Sequence, residues 1–360
     1  MRLLICAGGT GGGVYPALAV HDVLTSRLAD VKTLWVGGEG GIEESLVKRR
    51  AIPFRSIPAA GVHGVSPLVL PRNLFTIGRG ILAARSILND FQPDVLFFTG
   101  GYVAVPMAFA GRSFPSLLYV PDIEPGMALK SLARSADVIA VTTEQSQQFF
   151  NKRVYETGYP LRPDLALWDR QTAHQHLGIS GKSPVLLVLG GSQGAHSINL
   201  AVLNHLPALL EKFELIHLSG EPDWQMVKSA RAELPVELAD RYHAISYLHE
   251  MGAALAAADL VVSRAGASSL GEYPLFALPA VLVPYPYAWR YQKVNADYLT
   301  RRGAAILLED HRLNDDLLVT LNVLLQNPNK LKAMRAAMFE LSHPRAAEKI
   351  ASALIQLAGE

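Results

Sequence analysis

The chain has 360 residues and a formal net charge of +1, from 33 Lys and Arg against 32 Asp and Glu. Half of it is hydrophobic and 18% is charged, which excludes disorder as the main state and suits two domains. The near-zero charge excludes bulk electrostatic binding of nucleic acid, and the single Cys6 excludes an intrachain disulfide framework or a multi-cysteine zinc site.

Short apolar runs that end in glycine or polar turns, each followed by a helical stretch, recur from the N-terminus. Leu3–Ala7 leads into Gly8–Gly13 and an amphipathic stretch from Pro16 to Leu28. Thr33–Val36 leads into Gly37–Gly41 and Ile42–Arg50; Val95–Phe98 into Thr99–Tyr102; Leu117–Val120 into Pro121–Pro125; and Val138–Val141 follows. This alternation predicts a parallel sheet with right-handed crossovers. The pattern restarts at Pro184–Leu189, with Gly190–Ala195 and a helical stretch from Ser197 to Phe213. Leu215–Leu218, Ala244–Tyr247, Leu260–Val262 and Ala280–Val283 are the next strands expected. Two doubly wound halves follow, with a linker near Gly158–Asp164. Pro344–Leu357 reads as a last helix with Ala347, Ile350, Leu354 and Leu357 on one face; pattern alone leaves open which half it joins.

No membrane span is expected. The uncharged runs 95–111 and 273–289 hold 17 residues each and are broken by Gly100, Gly101 and Pro106, and by Pro274, Pro279, Pro284 and Pro286. Only Leu3–Ala7 lies between Arg2 and the first glycine cluster, too short for a secretory signal, so a cytoplasmic location is expected. Leu68–Leu70, Leu74, Phe75, Ile77, Ile81, Leu82, Ile87 and Leu88 form an apolar set with Arg72, Arg79 and Arg85 interleaved. Two readings stand: an interfacial segment whose arginines meet lipid phosphates, or a core-facing helix with a solvated basic side.

The glycine turns point to an anion. Gly8-Gly-Thr-Gly-Gly-Gly13 lacks side-chain bulk, so backbone amides approach a charged oxygen and the next helix adds partial positive charge. A pyrophosphate suits that turn; a tight turn with no ligand is the alternative. No Gly-Lys-Ser/Thr follows, so it is not a Walker A loop, and Asp30 precedes the second strand, unlike a dinucleotide fingerprint. In the second half, Gly190-Gly-Ser-Gln-Gly-Ala195 again ends a strand. Ser263–Glu272 ends another, with Ser268–Glu272 expected to open a helix suited to a diphosphate. Glu272 is placed either to accept from ribose hydroxyls or to cap the helix. Gln292 reads either as a sugar-hydroxyl partner or as a helix-surface amide. Cys6 reads as a buried strand residue, and His21 and His196 as surface or cap residues.

The ordered set Gly8-Gly-Thr-Gly-Gly, Gly100-Gly-Tyr-Val, Gly190-Gly-Ser-Gln-Gly-Ala with Asn199, Arg264-Ala-Gly-Ala-Ser-Ser-Leu-Gly-Glu272, and Pro284…Gln292…Asn295-Ala resembles the MurG family (glycosyltransferase family 28) along residues 1–357. The resemblance implies an α/β, GT-B fold: two Rossmann-like doubly wound parallel-sheet domains facing across a cleft. It implies domains 1–160, with helix 344–357 packing back on it, and 161–343. The implied activity is inverting transfer of GlcNAc from UDP-GlcNAc to the MurNAc C4 hydroxyl of undecaprenyl-pyrophosphoryl-MurNAc-pentapeptide (lipid I), giving lipid II. No cofactor is implied and no metal site. Implied partners are UDP-GlcNAc, lipid I, an anionic membrane surface at the cytoplasmic face, and cell-wall synthesis proteins.

Carried over by motif, Ser192 binds phosphate and the main chain near Leu248 holds uracil. Gly266, Ala267, Ser268 and Ser269 cradle the diphosphate, Glu272 binds ribose and Gln292 the GlcNAc hydroxyls. Arg162, Thr10, Gly11 and Gly12 also reach the donor. Gly12, Gly13, Gly100, Gly101 and Tyr102 resemble the cradle for the acceptor pyrophosphate. Two positions depart from the family: Gly13 replaces its usual His, and Asp122 its usual Asn. Asp122, also counted among the donor-binding residues, and His63 are therefore the candidate bases; the plain readings are a turn cap before Pro125 and a surface loop histidine. Three alternatives remain: a related GT-B transferase with another lipid or small-molecule acceptor, a UDP-GlcNAc 2-epimerase, and a non-catalytic nucleotide-sugar binder.

Overall fold

A computed structural model describes residues 1–8, 11–41, 43–61, 65–191, 194–287 and 291–360. The chain forms two compact units, Met1–Arg162 with Pro344–Glu360, and Pro163–His343. Each is an α/β unit built on a parallel sheet.

The first sheet comprises β1 (Arg2–Ala7), β2 (Lys32–Gly38), β3 (Phe54–Ile57), β4 (Val95–Gly100), β5 (Ser116–Val120), β6 (Val138–Val141) and β7 (Tyr155–Glu156). Among the described residues its order is β3-β2-β1-β4-β5-β6-β7, and every pair is parallel. The second comprises β8 (Val185–Leu189), β9 (Glu214–Leu218), β10 (Tyr242–Ile245), β11 (Leu260–Ser263), β12 (Ala280–Leu282) and β13 (Ala305–Leu307). Its order is β10-β9-β8-β11-β12-β13, again parallel throughout. Helices cover both faces, so the central strands are continuous apolar runs: Leu3–Ala7, Val95–Phe97 and Val185–Val188 are buried.

In both sheets the chain winds outward one way, returns to the middle, and winds the other way. The order reverses between β1 and β4, and between β8 and β11. In open α/β sheets, such a reversal is where ligands bind, beyond the strand ends.

The last helix, Ala346–Ala358, belongs to the first unit. Its buried stripe, Ala347, Ile350, Ala351 and Leu354, packs against the first helix, Gly11–Arg27. Arg27 donates to Ser352 Oγ at 2.9 Å, and the Met1 ammonium lies 2.7 Å from Glu360 Oε1.

Several element boundaries differ from the sequence reading. The first helix begins at Gly11, inside the glycine run, so Gly11–Gly13 are its first turn. The stretch 197–213 is two helices, His196–Asn204 and Leu206–Leu210, with Pro207 in the first turn of the second. Proline has no N–H to continue the preceding ladder. Ser268–Glu272 does not open a regular helix: Ala267–Leu270 is a 3-10 turn, followed by the single α-turn Glu272–Leu275 containing Pro274. The strands β3, β7 and β13 lie at sheet edges with mixed burial, so no apolar run announces them.

Ile350→Ala is expected to cost the first unit about 2–5 kcal/mol in urea unfolding, the range for emptying a filled core position. An unchanged transition would show that the returning helix contributes nothing to that core.

Candidate functional site

In the first unit, the reversal between β1 and β4 brings the turns after these strands into contact. Gly101 has φ +87°, and a Cβ there would fall 2.7 Å from Gly8 O. Only glycine fits both that backbone conformation and that approach. Beneath Gly8 the Glu43 carboxylate is buried, and its Oε1 accepts from Gly38 N at 2.8 Å. Gly11–Gly13 stand on the same edge, because Thr99 at the end of β4 donates from Oγ1 to Gly13 O at 2.8 Å. Tyr159 donates its hydroxyl to Gly12 O at 3.4 Å. The edge thus joins Gly11–Gly13 to Gly100 and Gly101, with Tyr102 exposed beside them. First-turn amides of a helix lack intrahelical acceptors, so this edge suits an anion.

Position 13 is also crowded. A Cβ on Gly13 would lie 3.1 Å from Thr99 O and 3.3 Å from Thr99 Oγ1. A side chain there requires Thr99 to shift, so the missing histidine fits the tight packing of helix on strand. Asp122 follows β5, the next strand over, and is half-buried. Its charge adds to the burial that pushes the Tyr119 hydroxyl up. Arg162 stacks its guanidinium over the Tyr15 ring at 4.9 Å. Thr10 and His63 lie outside the described residues, as does Ser192 in the second unit.

In the second unit, two further small-residue turns follow β8 and β11, the neighbours between which the order reverses. Gly194 has φ +78°, and a Cβ there would lie 2.3 Å from Ser219 O, just beyond β9. Gly194 N donates to Gly191 O at 3.0 Å, and the helix His196–Asn204 begins two residues on. After β11, Gly266 opens the 3-10 turn Ala267–Leu270. Ser269 is buried, and both its hydroxyl, at 2.6 Å, and its backbone amide, at 3.0 Å, donate to Gly266 O, so it closes the turn on itself. Asn295, also buried, donates to Ala265 O at 3.1 Å. Glu272 follows the turn and is half-buried. Gln292 accepts at Oε1 from Tyr285 N at 2.9 Å, which leaves its amide hydrogens as what it can present to a ligand. Leu248 is half-buried beyond β10.

Arg264 is held by partners within the unit. Its Nη1 lies 2.5 Å from Asp310 Oδ1 and 3.2 Å from Val283 O, and its Nη2 lies 2.8 Å from Ser197 Oγ. It ties β11, β12 and the helix His196–Asn204 together beneath the turns. Sequence reading did not assign this role, nor that of Asn295, because their partners are distant in the chain. Among the described residues, no group of three or more His, Cys, Asp or Glu could hold a metal ion.

Comparison with known proteins agrees along the whole chain. The N-terminal domain profile of glycosyltransferase family 28 matches residues 3–141, and the C-terminal domain profile matches 185–350. The UDP-N-acetylglucosamine–N-acetylmuramyl-(pentapeptide) pyrophosphoryl-undecaprenol N-acetylglucosamine transferase of Roseiflexus sp. (strain RS-1) is 39% identical, covering 98% of this chain and 94% of the relative. The protein of the same name from Desulforudis audaxviator (strain MP104C) is 38% identical over 100% of this chain and 99% of its own. Among solved structures, Acinetobacter baumannii MurG is similar with a TM-score of 0.79 and 26% identity, covering 99% of both chains. A UDP-GlcNAc 2-epimerase from Neisseria meningitidis shares the fold, with a TM-score of 0.67 and 14% identity over 99% and 100% of the two chains.

His217, in the middle of β9, was also not evident from sequence. It is wholly buried, and burial pushes its imidazole down to about 4, so it is neutral at physiological pH. The unfolded chain binds a proton there near pH 6.5 and the folded chain does not. Its contribution to stability is therefore complete above pH 6.5 and falls as pH drops toward 4, by about 3 kcal/mol. Urea unfolding of the wild type and of His217→Gln across that range tests this. The variant is expected to show the flatter profile, and equal slopes would contradict the assignment.

Proposed function

The chain belongs to glycosyltransferase family 28, and from that membership and its two strand-order reversals we propose that it transfers GlcNAc from UDP-GlcNAc to lipid I, giving lipid II. Its two Rossmann-like parallel-sheet units are those of a GT-B enzyme. The observation that carries the reading is the pair of glycine turns at the two strand-order reversals, where small residues leave backbone amides open to a diphosphate. The reaction has two diphosphates to hold, one on the nucleotide sugar and one on the lipid.

The second unit takes the donor. The turn Gly266–Ser269 meets the diphosphate with the main-chain amides of Gly266, Ala267 and Ser268 and with the Ser268 hydroxyl, while Ser269 closes the turn from within. Glu272 accepts from the ribose hydroxyls, the main chain at Leu248 pairs with uracil, and Gln292 donates to GlcNAc hydroxyls. Ser192 and Thr10 are further donor contacts, and Arg162 a cationic one. The edge Gly11–Gly13 with Gly100–Tyr102 takes the acceptor's pyrophosphate.

The C4 hydroxyl of MurNAc attacks C1 of GlcNAc, the bond from C1 to the UDP oxygen breaks, and the configuration inverts. Charge grows on the departing diphosphate, and amides already aimed there stabilise it without reorganising. Gly13 has no group to take the hydroxyl proton. Asp122, on the adjoining strand end, takes it in our reading. Asp122→Asn is expected to lower kcat by about 10²–10⁴ while leaving the KM for UDP-GlcNAc within a few fold. Full turnover in Asp122→Asn would remove it as the base, and the same assay on His63→Ala tests the second candidate. Release of ManNAc without lipid I would mark an epimerase instead.

The enzyme works at the cytoplasmic face of the membrane, where its lipid acceptor lies. No helix among the described residues is long and apolar enough to cross. The helix Leu70–Phe91 divides along its length: Gly80, Ala84, Ile87 and Leu88 are buried, whereas Leu68, Leu74, Phe75 and Leu82 are exposed, Leu68 by 92%. Exposed Phe109 extends the patch from the helix Ala104–Ala110, which packs alongside. Arg72, Arg79 and Arg85 are exposed on the same helix. Apolar side chains ringed by arginines suit the acyl–headgroup boundary of an anionic bilayer. Sedimentation with anionic vesicles is expected to fall by about tenfold or more in Arg72→Glu/Arg79→Glu/Arg85→Glu, given about 1 kcal/mol per basic residue. Unchanged sedimentation would defeat the assignment.

A further inference from the structure

Beneath the donor-side turn runs a chain of hydrogen bonds that the displacement itself does not use. The Tyr242 hydroxyl on β10 lies 2.8 Å from His217 Nδ1 on β9. His217 Nε2 lies 2.9 Å from Asn199 Oδ1 on the helix His196–Asn204. Asn199 Nδ2 lies 2.9 Å from Ser219 O and 2.7 Å from Asp223 Oδ2. His196 Nδ1 closes the chain at 2.7 Å from Asp223 Oδ1.

The direction of every bond is forced. Ser219 O and the Asp223 carboxylate only accept, so the NH2 of Asn199 must face both; turning the amide over would set its oxygen against two acceptors. Asn199 Oδ1 is then an acceptor, and His217 carries its proton on Nε2. That leaves His217 Nδ1 to accept from the Tyr242 hydroxyl. At the other end, His196 donates to Asp223. Asn199, His217, Ser219 and Tyr242 are wholly buried, where such a network is rigid and a lost partner is costly.

The carbonyl that Asn199 holds is the one Gly194 was shaped to approach. Ser219 O would lie 2.3 Å from a Cβ at Gly194, so the glycine turn rests on that oxygen from one side while Asn199 pins it from the other. Asn199 also stands four residues into the helix that the turn feeds.

We propose that Asn199 is a positioning residue for the donor diphosphate: by fixing Ser219 O beneath Gly194 it sets Gly194, the bond from its amide to Gly191 O, and the start of the following helix in the geometry that receives UDP-GlcNAc. The proposal rests on the reading that the second unit binds the donor.

Titration calorimetry with UDP on the full chain, together with steady-state kinetics, tests it. Asn199→Asp puts carboxylate oxygen against Asp223 and Ser219 O. The Kd for UDP and the KM for UDP-GlcNAc are expected to rise together by about tenfold or more, with kcat at saturating donor within about threefold and the KM for lipid I unchanged. Asn199→Asp/Asp223→Asn restores a donor to the pair with position 223 but leaves a carboxylate oxygen against Ser219 O, so UDP affinity is expected to stay low, and its full recovery would trace the effect to Asp223 and not to Ser219 O. Should Asn199→Asp not fold, Asn199→Ser, which withdraws the donor from Ser219 O without adding a charge, is expected to weaken UDP by about threefold or more. Unchanged UDP affinity in folded Asn199→Asp, or in Asn199→Ser where the former does not fold, overturns the proposal. So does a loss confined to kcat. If the wild-type chain itself does not bind UDP, the donor reading falls, and this proposal with it.

Discussion

Backbone packed directly against backbone where the central strands end is the constraint on which this protein depends. In the first unit Gly101 lies against Gly8 O, and in the second Gly194 lies against Ser219 O. In each case the turn leaving one central strand approaches the main chain of a neighbouring segment more closely than any side chain would permit. The same lack of bulk gives a phosphate access to amides from the open side. Fold and binding therefore make one demand of these positions, and a β-carbon would damage both.

Around these contacts the side chains act mainly as buttresses. Arg264 is anchored to Asp310, Val283 O and Ser197, and Asn295 to Ala265 O. Ser269 uses its hydroxyl on Gly266 O. Each fixes a carbonyl or a strand end, and so aims the amides of the next turn. An active site built this way is organised before the ligand arrives, which suits a reaction whose charge develops on a leaving diphosphate. The tight seat of Gly13 on Thr99 belongs to the same pattern.

Much of this was legible in the sequence. The strand–glycine–helix units and their restart near Pro184 are local patterns, and local sterics govern them. Less legible were features set by distant partners. Arg264 sits in a glycine-rich motif with nothing beside it in sequence to mark its role; its partner Asp310 is 46 residues away. His217 sits in an apolar strand with nothing nearby to mark it, yet its neighbours on β10 and on the helix His196–Asn204 dictate its tautomer. The apolar set from Leu68 to Leu88 could be read as core or as membrane surface, and it is divided between them: its C-terminal part packs inward while Leu68, Leu74, Phe75 and Leu82 remain uncovered.

The sequence by itself determined that the chain makes two parallel α/β sheets, that glycine stands where their central strands end, and which family carries those motifs in that order. These follow from residue types and short spacings, which act through backbone sterics and apolar burial within a few turns of chain. Only the tertiary structure decided which glycines are obligatory, which polar side chains brace a turn, and where the first helix begins. Those outcomes arise from contacts between residues tens of positions apart, such as Thr99 with Gly13 and Asn199 with Ser219. Such contacts exist only once the strands have paired and the crossovers have closed.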